Sequence, residues 1–147
     1  MLRRRRTSGS AIMETGPALY VFLLLIFFPM VDLVFMGVDF CGSWYMNHLV
    51  VRELALRKKS EWPNAISQVV TPFTNAGVGQ FMHITGSSHV PVNVGQPTDG
   101  ERMKVQCDST VTCAPFLQLP IPGSIPGLSG PVTFRFSSER PRENDLD

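Results

Sequence analysis

The longest run of apolar positions in the chain is Pro17 to Met36, PALYVFLLLIFFPMVDLVFM, twenty residues with a single charge at Asp32. A helix crossing a bilayer needs about 20 predominantly apolar residues. Leu, Ile, Phe and Val dominate the run and insert favourably, whereas an Asp at the helix centre costs ~2.5–3.5 kcal/mol and less near an end. Asp32 stands toward the C-terminal end, so the pattern predicts a membrane-spanning helix. A buried core helix is rarely apolar on every side in so small a chain. A secretory signal has a shorter apolar stretch of about 7–15 residues and a small-residue cleavage site. This run instead passes into Gly37, Val38, Asp39, Phe40, Cys41 and Gly42 without a good one.

Beyond the run, residues 43–59, SWYMNHLVVRELALRKK, contain good helix formers and neither Pro nor Gly. Leu49, Val50, Glu53, Leu54 and Arg57 follow the i, i+3/i+4 spacing, and Glu53 to Arg57 is a favourably oriented pair. The spanning helix is therefore expected to project past the membrane until Pro63 limits it. Pro29 should kink or loosen it inside the bilayer. Asp32 and Asp39 share one helical face, which suits either a contact in a bundle or filament, or snorkelling to the outer interface.

After Pro63 the period changes. Residues 64–71 suit one or two helical turns. Met103, Val105 and Cys107 alternate with polar neighbours, as do Val132, Phe134 and Phe136, the period of half-buried strands. Gly79–Thr85 and Val90–Val94 are weaker strand candidates. Gly86-Ser87-Ser88 is a candidate turn between those two, and Thr98-Asp99-Gly100 a turn before the third strand. Pro115 to Pro131 is rich in Pro and Gly and reads as an irregular loop, and Ser138 to Asp147 as a frayed polar tail. The expected fold is α+β: a long N-terminal transmembrane helix continuing into a small antiparallel β-sheet head. Its parts are a basic leader (1–9), the spanning and projecting helix (10–59), a small extracytoplasmic α+β head (60–137) and the tail (138–147).

Charge adds direction. Thirteen Lys+Arg against twelve Asp+Glu give the 147-residue chain a formal charge of +1, with little electrostatic support for nucleic-acid binding. Arg3, Arg4, Arg5 and Arg6 precede the apolar run. Without residues 1–9, nine basic residues face twelve acidic ones and the charge becomes −3. Basic residues just before a span hold that end in the cytoplasm, which places the head outside. In that oxidising setting Cys107 and Cys113, flanking the candidate turn Asp108-Ser109-Thr110, favour a local disulfide over two free thiols. Cys41 reads as a small packing residue at the outer membrane edge. The C-x5-C spacing and the positions of His83 and His89 fit no zinc pattern. His48, His83 and His89 are scattered, and no phosphate loop or catalytic motif occurs. Neither a cofactor, a metal nor an enzymatic activity is expected.

Gly9-Ser10-Ala11-Ile12-Met13-Glu14 resembles the class III leader site of type IV pilins and pseudopilins. The wider stretch, with arginines before it, Pro17 near the start of the apolar run, and Asp32 then Gly37 near its end, is similar to the TadE-like and TadG-like minor pseudopilins of tight-adherence pili. The resemblance covers residues 3–56 or so and does not extend to the β-rich remainder. It implies that a prepilin peptidase cuts between Gly9 and Ser10, leaving Glu14 as the fifth residue of the mature chain. It further implies that Glu14 meets the N-terminal amine of a neighbouring subunit, a buried charge pair that fixes register. Ser10 stands where pilins often carry an aromatic residue, and Thr15 where pseudopilins of this type often carry Tyr or Phe. The partners implied are prepilin peptidase, other pilin or pseudopilin subunits, the pilus assembly platform of the bacterial inner membrane, and membrane lipid. The expected function is that of a minor pseudopilin in a tight-adherence pilus or related secretion filament. The alternative is an uncleaved single-pass membrane protein whose outer domain binds a partner.

Overall fold

The computed structural model describes residues 10–94, 103–118 and 123–143. Three segments follow one another as a continuous helical rod: α1 (Ser10–Phe22), a π-helical turn (Leu23–Phe27) and α2 (Phe28–Leu56). At ~1.5 Å per residue it is about 70 Å long. The wide turn lies just before Pro29, whose ring crowds the preceding turn and whose missing N–H removes one rung of the ladder. The Phe28 N–H reaches back five residues to the Leu23 carbonyl, so the expected loosening takes the form of a π turn. From Thr15 to Leu56 the helix is long and apolar enough to cross a membrane.

The rod ends at Leu56, three residues before the expected limit, where Arg57 turns extended. The Glu53–Arg57 ion pair forms at 3.5 Å. Pro63 then sits in the first turn of α3 (Trp62–Asn75), where its missing donor costs nothing. This helix is longer than the one or two turns expected. Trp62, Ala65, Ile66, Val69, Val70 and Phe73 follow i, i+3/i+4 spacing and pack into the core along α2, so packing outweighs Pro72 near its end. Gly77, with φ +58°, breaks the chain direction before the short α4 (Val78–Phe81). Residues 79–83 are thus helix and turn, not strand.

A three-stranded antiparallel sheet follows in the order β1-β2-β3, with β1 Ile84–Val94, β2 Lys104–Cys113 and β3 Val132–Pro141. The expected turn at Gly86-Ser87-Ser88 is strand; only a register shift between Ile84 and Gly86 marks it. The Thr98-Asp99-Gly100 turn lies outside the described residues. Strand β3 takes in the first residues of the expected tail, and Arg142 beyond it is buried, its guanidinium 5.9 Å over the Trp62 ring. The Arg142 N–H donates to the Met103 carbonyl at 2.7 Å and the Glu143 N–H to the Ala55 carbonyl at 3.1 Å.

The disulfide expectation is corrected here. Cys107 and Cys113 are both free. Asp108-Ser109-Thr110 is not a turn but the middle of β2, paired on both sides. Six residues of extended strand put the two cysteines ~20 Å apart, far beyond the ~7 Å limit on Cα separation for a bridge. Their even spacing instead puts both on the buried face of β2 with Val105, Ser109 and Val111. Two apolar clusters join that face to α2 and α3: Val50, Val51, Leu54, Ala55, Trp62, Ala65, Val105 and Cys107 in one, and Met46, Met82, Val111 and Cys113 in the other. The head is therefore assembled on the C-terminal half of the rod.

Candidate functional site

The rod divides at Asp32. Met13 and Thr15 to Tyr20 are exposed, and nothing from Val21 to Val31 is fully buried. Beyond that point a stripe is buried at Asp32, Asp39, Ser43, Met46, Asn47, Val50, Val51, Leu54 and Ala55, the 3.6-residue spacing of one helical face. Its first half is polar. The opposite side of the same turns carries Met30, Val34, Val38 and Tyr45, all large, apolar and exposed, with exposed Gly37 and Cys41 between them. Leu33, Phe40 and Trp44 flank this stripe and are half-exposed or more. Between Met30 and Tyr45 the helix is inside out at its fully buried positions: Asp32, Asp39 and Ser43 face the head, flanked by Phe35, Met36 and Phe40, which also meet it, while the outer side is apolar.

The buried polar groups have identifiable tasks. Asp32 was expected to reach a neighbour or the interface; it is instead 2 % exposed, and its Oδ1 accepts the Leu117 N–H at 2.9 Å. This bond pins the loop between β2 and β3 to the rod. Phe116 stacks on Phe35 with centroids 3.8 Å apart, and Phe81 joins them. Gly127, with φ +83°, lies so close to Met36 that a Cβ would collide with it. Asp39 is also buried in the molecule's own fold.

Further along, Asn47 donates through Nδ2 to Ser138 Oγ at 2.8 Å and accepts the Ser109 hydroxyl at 2.6 Å. His89 Nδ1 lies 2.7 Å from Ser109 Oγ. With the Ser109 proton committed to Asn47, the imidazole is the donor in that pair. This chain of contacts ties α2 to all three strands. Ser109 is 1 % exposed and its proton is engaged, so the Ser–His pair forms a brace, not an accessible nucleophile. Burial lowers the pKa of His89 from its ordinary 6.5. Burial also pushes up the Cys107 thiol, and burial with the nearby Asp39 pushes Cys113 up to about 11.

Of the residues singled out from the sequence, Arg3, Arg4, Arg5, Arg6 and Gly9 lie outside the described residues. Ser10 opens α1, and Glu14 lies on the same helix with its side chain outside the described set. His48 packs edge-on against Trp44 at 4.2 Å. The Asn47–Ser109–His89–Ser138 brace was not anticipated. Its trace in the sequence is Ser109, the one polar member of an otherwise apolar alternate row in β2. Among the described residues no cluster of three potential metal ligands occurs. Two shallow hollows flank the far end of the rod: one of about 290 Å³ bounded by Arg52, Leu56, Arg140 and Glu143, and one of about 390 Å³ between Leu49, Glu53, Val69 and Phe73. Comparison with protein-family models gives no match, and neither does comparison with curated proteins or with solved structures.

Proposed function

We propose that the chain is a membrane-inserted minor pseudopilin that contributes to a tight-adherence pilus or related secretion filament. Its N-terminus is cytoplasmic, its head extracytoplasmic, and it resides in the bacterial inner membrane until extracted. The observation that carries this reading is the inside-out stretch of α2. A single-pass anchor needs apolar surface only through the ~30 Å hydrocarbon core. Here the apolar stripe runs on past Asp32 to Tyr45, alongside the head, where an anchored monomer would expose it to water. A subunit whose helix packs among neighbouring helices buries that stripe. Small Gly37 and Cys41 within it allow backbones to approach closely. The leader arginines, Gly9 and Glu14 add the processing signal and the charge that would pair with a neighbour's new amine.

Mass spectrometry of the membrane-extracted chain from a host with active prepilin peptidase tests the reading. A mature N-terminus at Ser10, abolished by Gly9→Ala, is expected. Glu14→Ala should leave cleavage intact and remove the subunit from sheared filaments. An intact Met1 in that host overturns the assignment in favour of an uncleaved membrane protein with a partner-binding head.

A further inference from the structure

We infer that the end of the head nearest the rod's uncovered half rests on the bilayer surface, with Phe81, Phe116 and Ile125 set into the lipid interface. The inference rests on the reading of the rod as a membrane span, and it is independent of whether the chain enters a filament. Three observations place that surface. The end of the sheet formed by Ile84, Cys113 and Val132, together with α4 and the β2–β3 loop, meets the rod around Asp32 to Met36, where the head's cover on the helix stops. The twenty residues from Met13 to Asp32 then cover ~30 Å, one hydrocarbon thickness. The span is thereby moved about four residues toward the N-terminus of the Pro17–Met36 run.

The second observation is charge. Ala114 to Pro131 contains no charged residue, and neither does Val78 to Met82. Charged side chains gather at the other end of the head: Arg52, Glu53 and Arg57 on the rod, Lys104 at the start of β2, and Glu139 and Arg140 at the end of β3. The third is exposure. Phe81, Phe116 and Ile125 are 47 %, 42 % and 43 % exposed. Phe81 and Phe116 are in ring contact with the half-buried Phe35, and Ile125 lies in the same β2–β3 loop as Phe116. Aromatic and apolar side chains at the level of the headgroups are the ordinary anchors of a membrane-embedded helix. A loop with its backbone partly engaged and no charge can lie there without the cost of desolvating ions. Phospholipid, continuous with the lipid around the rod, is therefore the occupant the geometry favours over a second protein surface.

The test uses the full chain with Cys41→Ser, reconstituted in phosphatidylcholine vesicles. An environment-sensitive fluorophore is placed on one of four introduced cysteines: Leu25→Cys in the span, Phe116→Cys or Ile125→Cys in the loop, and Lys104→Cys at the far end. Cys107 and Cys113 are buried and remain unlabelled. Nitroxide lipids, labelled at the headgroup or deep in the acyl chain, report depth. Emission at 25 should be lost to the deep nitroxide, emission at 116 and 125 to the headgroup nitroxide, and emission at 104 to neither. Quenching at 25 without quenching at 116 or 125 overturns the surface contact while leaving the span intact. Blue-shifted emission at 125 that lipid nitroxides do not quench overturns it in favour of a protein partner. No quenching at 25 overturns the span itself, and the surface contact with it. Ile125→Cys leaves the Phe35–Phe116 stack in place, so a folding defect in Phe116→Cys does not decide the result.

Discussion

Single side chains hold the helix to the sheet, and their chemistry gives the most direct tests. In the folded chain in detergent at neutral pH, iodoacetamide should modify Cys41 and spare Cys107 and Cys113, whose burial both blocks access and disfavours the thiolate. After unfolding without reductant, all three thiols should react; a mass two hydrogens short would instead reveal a bridge. Asn47, itself fully buried, presents both ends of its amide to the buried Ser109 and the partly exposed Ser138. Asn47→Ala leaves both hydroxyls short of a partner and should cost ~2 kcal/mol in denaturant melts. His89 adds a pH dependence. Its folded pKa lies below the ordinary 6.5, so as pH falls below about 6.5 the unfolded chain takes up the proton first and stability declines. Above that window the residue is neutral in both states and contributes nothing. Relative to the native chain, His89→Gln should lose less stability as pH falls from about 6.5. An unchanged profile would mean that His89 is not buried at the brace.

At the level of elements, the β2–β3 loop is the part whose position depends on few contacts. Among its described residues it has no regular ladder beyond the isolated Pro126–Gly130 bridge, and it meets the rod through the Asp32–Leu117 bond, the Phe35–Phe116 stack and the Gly127–Met36 approach. Asp32→Leu removes the acceptor, and Gly127→Ala adds a Cβ both at positive φ and against Met36. Each variant should speed limited proteolysis within 114–131, while Asp32→Asn, which retains an acceptor oxygen, should cut at nearly the native rate. The elements differ in how far they could be read from sequence. The rod, the start of β2 up to Cys107 and β3 up to Phe136 follow from apolar spacing that the fold reinforces; Asp108-Ser109-Thr110 reads as a turn, yet pairing on both sides keeps β2 extended through it. Strand β1 was read as two pieces because Gly86-Ser87-Ser88 looks like a turn, yet pairing with the continuous β2 keeps it extended. The loop's docking was not legible, since it depends on one carboxylate 85 residues away in sequence. Cys107 and Cys113 misled for a related reason: sequence distance suggested a closed loop, and strand geometry separates them.

On the scale of the whole molecule two gradients run along the rod. Charge collects at the distal end of the head, and uncovered apolar surface at the proximal end and along the outer face of α2. The first suits a molecule lying end-on to a bilayer; the second suits the lateral neighbours of the proposed filament, because the outer face between Val34 and Tyr45 rises above a span ending near Asp32. A charge introduced there tests the second gradient without disturbing the first. Val38 lies beyond that span, so Val38→Asp avoids most of the ~2.5–3.5 kcal/mol that an Asp costs at a helix centre, and insertion should proceed. It is also exposed and opposite the head, so the melt of the head should shift little. In cells that assemble the filament, a cysteine-reactive crosslinker should join Cys41 to a neighbouring pilin or pseudopilin subunit. Val38→Asp should abolish that adduct, because an ion in a dry helix bundle carries a desolvation penalty of several kcal/mol with no partner to offset it. Thr110→Asp, on the opposite face of β2 from the rod, should leave the adduct in place. An adduct that survives Val38→Asp at its native yield would mean that the neighbour does not pack on the apolar stripe, and no adduct even in the native chain would mean that lipid alone covers it and the chain stands as an anchored monomer.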